Sequence, residues 1–174
     1  MPAGLEIERK YLLSGAPSEA ELTAFGATPH RIEQVYLRSE DGWVRRVRKV
    51  ETAGRTRYVE TRKREVVGIV REELEVELDA AAYLRRAAEA DPARRIIRKV
   101  RHVFPFAGHE LELDIFVEPP GLVLLEVELE DASDVPELPP AILARLVREV
   151  SLESAYMNHE IALLPGADAD HAWS

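Results

Sequence analysis

Alternation of side-chain type, repeated in segment after segment, constrains this chain more than any other feature. In the stretch Leu5 to Leu13, Glu6, Glu8 and Lys10 alternate with Leu5 and Ile7. Strand side chains project to opposite faces with period two, so the three charges share one face and the apolar residues the other. The same period returns where Gln34, Tyr36 and Arg38 alternate with Val35 and Leu37, where Arg46 and Arg48 flank Val47, and where Thr61 shares a face with Lys63. Arg71, Glu73, Glu75 and Glu77 then oppose Leu74, Val76 and Leu78, and Lys99 pairs with Arg101. Glu112 and Asp114 oppose Leu111, Leu113 and Ile115, and Glu126, Glu128 and Glu130 oppose Leu125, Val127 and Leu129. This pattern predicts an α+β chain that is mostly antiparallel β.

Helices interrupt the strands. Ser18 and Glu21 have the spacing of a capping box, with Gly26 as the stop of a first helix. Asp79 caps a second over Ala80 to Glu89, and Pro139 and Pro140 start a third that the pattern carries to Arg148. A last helical segment is predicted over Ser154 to Leu164. Residues 1–164 therefore read as one domain and residues 165–174 as a loose C-terminal tail.

A chain of 174 residues can bury a real core without covalent staples. It has no cysteine, which excludes disulfides, thiolate nucleophiles and thiolate-bound zinc. No apolar run approaches the length of a membrane span and no signal peptide opens the chain, so the expected compartment is the cytoplasm, with no membrane partner. The formal net charge of -9 argues against coating nucleic acid, although a basic cleft inside an acidic shell can still hold a small polyanion.

A solvated sheet face normally mixes residue types along each strand. Here the acids cluster on some strands, as Glu6/Glu8, Glu73/Glu75, Glu112/Asp114 and Glu126/Glu128, and the bases on others, as Arg46/Arg48, Lys63 and Lys99/Arg101. Carboxylates two apart on a strand lie roughly 6.5–7 Å apart. Oxygen ligands without sulfur suit a hard cation such as Mg2+ or Mn2+, and Arg and Lys suit phosphate oxygens. A closed barrel of about eight strands leaves an interior just wide enough for side chains or one small ligand. With the charges turned inward and the apolar faces covered by helices, it forms a tunnel for a metal-bound oligophosphate.

These residues resemble the CYTH family, the triphosphate tunnel metalloenzymes. Glu6-x-Glu8-x-Lys10 matches the family's ExExK signature, and the later pairs follow in the family's order over almost the whole chain. The resemblance implies a closed eight-stranded barrel that acts on triphosphates with Mg2+ or Mn2+. It implies metal binding by Glu6, Glu8, Glu126 and Glu128, and phosphate binding by Lys10, Arg46, Arg48, Lys63, Lys99 and Arg101. Glu73, Glu75 and Asp114 would hold a second ion or orient the attacking water. One departure is visible. Many bacterial members carry a basic residue just before a Tyr-x-Asn on the C-terminal helix; here Tyr156 and Asn158 remain, but Ser154 and Ala155 stand where that charge falls, leaving His159 as the nearest replacement.

The expected activity is hydrolysis of inorganic tripolyphosphate to pyrophosphate and phosphate. The alternatives are a class IV adenylate cyclase, a thiamine or nucleoside triphosphatase acting on thiamine triphosphate or ATP, and a non-catalytic polyphosphate-binding module. The expected partner is a small triphosphate, with a homodimer as one form of assembly.

Overall fold

The computed structural model describes residues 4–164, so the expected tail at 165–174 lies outside the described residues. Eight strands, β1 (Gly4–Leu13), β2 (Thr28–Glu40), β3 (Trp43–Thr52), β4 (Arg55–Val67), β5 (Val70–Leu78), β6 (Ile97–Phe106), β7 (His109–Glu118) and β8 (Val123–Glu128), pair antiparallel throughout. Their order, β5-β4-β3-β2-β6-β7-β8-β1, closes on itself through a β1–β5 pairing. Closure removes the free edges that an open sheet would expose. The β3–β4 hairpin turns on Ala53 and Gly54, both at positive φ (48° and 76°), the conformation whose twist matches that of antiparallel strands.

β1 serves three neighbours. Along one edge it pairs with β8, from Glu8 opposite Glu128 to Leu12 opposite Leu124. Along the other edge its first half pairs with β5, where Glu6 faces Arg71. Its second half would then be left with unpaired N–H and C=O groups, and a ninth strand, β9 (Leu146–Glu149), satisfies them. This corrects the expected third helix, which stops early as α3 (Pro140–Leu143) so that the chain can extend along β1. The last predicted helix is also broken, into a 3₁₀ turn at Ser154–Tyr156 and α4 (Asn158–Ile161).

The other two helices follow their signals closely. α1 (Glu19–Ala24) carries the complete Ser18–Glu21 capping box, and Gly26 leaves it at φ 67°. α2 (Ala80–Ala87) is capped by Asp79, whose side chain accepts from the Ala82 N–H at 2.7 Å. Among the described residues no helix is long and apolar enough to cross a membrane.

Two apolar clusters lie outside the barrel wall. Leu22 of α1 and Ile142 of α3 pack on Phe104, Leu113, Leu125 and Val127, and Tyr83 of α2 packs on Val35, Leu37 and Val47. A third cluster joins Leu12, Phe116 and Leu124 to Tyr36, Tyr156 and Ile161. Leu12, Phe116 and Leu124 each stand two residues from an inward charge, namely Lys10, Asp114 and Glu126, so this cluster forms an apolar floor inside the barrel. The segment after β9 supplies its outer layer. The inward positions of β1, β7 and β8 are therefore apolar at this end, because a closed barrel interior needs apolar packing wherever it does not face a ligand or water.

Candidate active site

A belt of charge surrounds a cavity of about 1150 Å3 that runs inside the barrel. Glu6, Glu8 and Lys10 of β1, Arg46 and Arg48 of β3, Lys63 of β4, Glu73 and Glu75 of β5, Arg101 of β6, and Glu126 and Glu128 of β8 all line it. Period-two projection on tilted strands brings these residues together from sequence distances of more than a hundred positions. Two predicted site residues do not reach the cavity. Lys99 (3% exposed) and Asp114 (0% exposed) form a layer behind Arg101.

That layer is an ion-pair network. The Arg101 Nη2 group donates to Asp114 Oδ2 at 2.7 Å and to Glu126 Oε2 at 2.6 Å, and the same guanidinium pairs with Glu112. Lys99 donates to Asp114, and the Lys10 Nζ lies 3.0 Å from Glu126. Burial opposes the charge on Glu126, but Lys10 and Arg101 outweigh it and hold the carboxyl well below the usual carboxylate range. Lys99 loses the same contest. Burial, with Arg101 beside it, draws its ammonium down to about 8 despite Asp114.

Nearer the opening the pairs are more exposed. The Lys63 Nζ bridges Glu6 at 2.5 Å and Glu73 at 2.7 Å. Arg48 donates to Glu75 at 2.7 Å and to the Thr61 hydroxyl at 3.2 Å, and Arg46 donates to the Gln34 carbonyl oxygen at 3.3 Å. Gln34 in turn donates to the Tyr36 hydroxyl at 2.6 Å. Gln34 and Thr61 are fully buried and thus fix the rotamers of the two arginines.

The remaining acids crowd one another. Glu8 is pushed up to about 7, first by burial and then by Glu126, with Lys10 only 3.6 Å away in partial compensation. Glu128 is raised by burial and by Glu6, Glu112 and Glu73. Four strands thus converge a surplus of carboxylate oxygens on one opening, and this donor set fits a hard divalent cation. Among the described residues no three such side chains meet at a single point; Lys63 holds Glu6, and Lys10 and Arg101 hold Glu126.

His159 does not supply the charge missing from the C-terminal segment. Burial and Arg94 draw its imidazole down to about 4, so it is neutral near pH 7. The segment reaches the site by other means that no alternation reveals. Lys10 donates to the Tyr156 carbonyl at 3.3 Å, and the Ser151 hydroxyl accepts from the Lys10 N–H at 2.9 Å. Tyr36 and Gln34 carried a sequence signal, being on the inward side of β2, whereas Ser151 carried none. Of the other inward-side candidates, Arg71 lines the cavity and Glu77 does not.

A family model described as "CYTH domain" matches residues 4–157. No curated protein matches the chain. Among solved structures, the PH1819 protein of Pyrococcus horikoshii OT3 is similar over 76% of this chain and 79% of its own, with 19% identity and a TM-score of 0.54. The PH1012 protein of the same organism is similar over 73% and 80%, with 20% identity and a TM-score of 0.52. A chain in the Schizosaccharomyces pombe Mediator head module matches 76% of this chain over 86% of its own length, at 10% identity and a TM-score of 0.52. At such identities the likeness concerns the fold alone, and function must be argued from the side chains on the wall.

Proposed function

The chain belongs to the CYTH family, which covers triphosphatases and class IV adenylate cyclases, and from that premise we propose that it is a divalent-metal-dependent triphosphatase that hydrolyses inorganic tripolyphosphate. One observation carries the reading: Lys10, Arg46, Arg48, Lys63 and Arg101 share a single enclosed cavity with a surplus of carboxylates. Such a set neutralises several phosphates at once, and an enclosed wall strengthens each contact by excluding water.

Glu6, Glu8, Glu126 and Glu128 are the residues that would hold Mg2+ or Mn2+. The chemistry such an ion supplies is charge neutralisation and polarisation of phosphoryl oxygens. The chain itself positions the substrate: Arg46 and Arg48, braced by Gln34 and Thr61, with Lys10, Lys63 and Arg101, bind phosphate oxygens. Asp114 acts through Arg101, whose fork it orients, and Lys99 holds Asp114 in turn. Glu73 or Glu75 accepts a proton from a water whose oxygen forms the new P–O bond as the bridging P–O bond breaks. The products are orthophosphate and pyrophosphate, and the departing oxygen takes up a proton from solvent. Phosphoryl transfer of this kind depends mainly on positioning and electrostatics, so no nucleophilic side chain is required.

The test is to incubate the protein with tripolyphosphate, ATP and thiamine triphosphate, each with Mg2+ or Mn2+, and to identify the products. Phosphate and pyrophosphate from tripolyphosphate, released faster than phosphate from ATP and lost in EDTA, are the expected result. Cyclic AMP as the main product from ATP would establish the cyclase reading instead.

A further inference from the structure

Arg71 lines the same cavity as the phosphate-binding set but is held differently. It precedes Glu73 by two residues on the inward side of β5 and sits opposite Glu6 in the β1–β5 register. Glu6 is not its partner, because Lys63 holds that carboxylate. The Arg71 Nη1 group instead donates to two neutral carbonyls of its own hairpin, Gly68 at 2.6 Å and Val70 at 3.2 Å. The carboxylate paired with it, on Glu65, is 3.5 Å away and 78% exposed. By contrast Lys10, Arg48, Lys63 and Arg101 each lie within 3.0 Å of a carboxylate of the cavity wall, and only Arg46 of the phosphate-binding set, held by the Gln34 amide oxygen, resembles Arg71 in being held by a neutral oxygen. A guanidinium that is 14% exposed and held mainly by peptide carbonyls keeps most of its charge available to an incoming anion.

The position matters as well. Arg71 lies toward the end of the cavity that the turn after β4 shares with the C-terminal segment, where Ile69, Ser154, Met157, Asn158 and neutral His159 also line it. A phosphate chain threaded along the tunnel presents an end there. A terminal phosphate has a third non-bridging oxygen and one more ionisable oxygen than an internal one, so it offers a guanidinium fork the more strongly charged partner.

Resting on the triphosphate reading, we infer that Arg71 is a specificity-determining residue that binds a free terminal phosphate of the substrate at this end of the cavity. Removing its charge weakens ligands with a free phosphate end and leaves end-less ones untouched.

The experiment compares wild type, Arg71→Gln and Arg71→Lys in steady-state hydrolysis of tripolyphosphate with Mn2+. Trimetaphosphate, a ring of three phosphates with no terminal group, serves as the competing inhibitor. Arg62→Ala, on the outer face beside Glu60, is the control expected to match wild type. Arg71→Gln should raise KM for tripolyphosphate about tenfold with little change in kcat. Arg71→Lys should fall between it and wild type, and all three proteins should share one trimetaphosphate inhibition constant. A melt without ligand checks the hairpin; if Arg71→Gln melts well below wild type, the comparison passes to Arg71→Lys, whose raised KM supports the inference and whose wild-type KM overturns it. An unchanged KM in an active Arg71→Gln protein, or equal weakening toward both phosphates, also overturns the role of Arg71 alone. Wild type that neither binds nor cleaves tripolyphosphate overturns the triphosphate reading, and the inference with it.

Discussion

Replacing Glu8 with glutamine should stabilise the metal-free protein while abolishing its activity. The Glu8 carboxyl is shifted from 4.5 to about 7 in the folded chain, through burial first and Glu126 second. A folded value above the unfolded one means that the folded state holds this proton more tightly. The stability linked to it is present below pH 4.5, falls as pH rises toward 7, and is fully lost above that. At 1.36 kcal/mol per unit, an ionised Glu8 costs the empty protein about 3 kcal/mol at pH 8 and less than about 1 kcal/mol at pH 5. That figure already nets the attraction to Lys10 against burial and Glu126, and the buried amide keeps a desolvation cost of its own, so a net gain on the order of 1 to 3 kcal/mol at pH 8 is expected of Glu8→Gln. For a chain of this size that is a rise in Tm of several degrees, at roughly 2–4 °C per kcal/mol. The assay is a thermal melt of both proteins in EDTA at pH 5 and pH 8, and again with saturating Mn2+. Wild type should gain about 2.7 kcal/mol from Mn2+ at a hundredfold excess over Kd, and Glu8→Gln much less. A mutant that is destabilised at pH 8, or shifted equally at both pH values, would refute the electrostatic reasoning.

Two further substitutions separate substrate contact from support. Arg48→Ala removes a charge-assisted donor from the cavity wall and should lower kcat/KM by roughly ten- to a hundredfold with a small change in Tm, read from steady-state kinetics and melts. Asp114→Asn leaves Lys99 and Arg101 without their shared buried carboxylate, so it should cost roughly 3–5 kcal/mol and lower Tm by roughly ten degrees or more. A normal melt with lost activity would instead place Asp114 in direct contact with the reaction.

Much of the barrel was legible because period two is a local property. Once the strands were assigned, the inward side of each followed, and with it Glu6, Glu8, Lys10, Arg46, Arg48 and Lys63. Depth along the barrel was not legible: alternation places Asp114 and Arg101 on the same side of the wall, but only the stagger between strands decides that Asp114 lies behind the cavity and Arg101 on it. β9 was missed for a related reason. Leu146 to Glu149 continues an amphipathic helical pattern, and what makes it a strand is the unpaired second half of β1, more than a hundred residues earlier. The apolar floor depends on Tyr156 and Ile161, whose segment has no period of its own because it is shaped by the opening it fills.

The most direct measurement is a crystal structure of the Glu8→Gln protein with tripolyphosphate bound, the substitution serving to prevent turnover. The account predicts phosphate oxygens inside the barrel within hydrogen-bonding distance of Arg46, Arg48 and Lys63. Tripolyphosphate seated on the outer surface, with those three side chains still in the internal pairs described above, would contradict it.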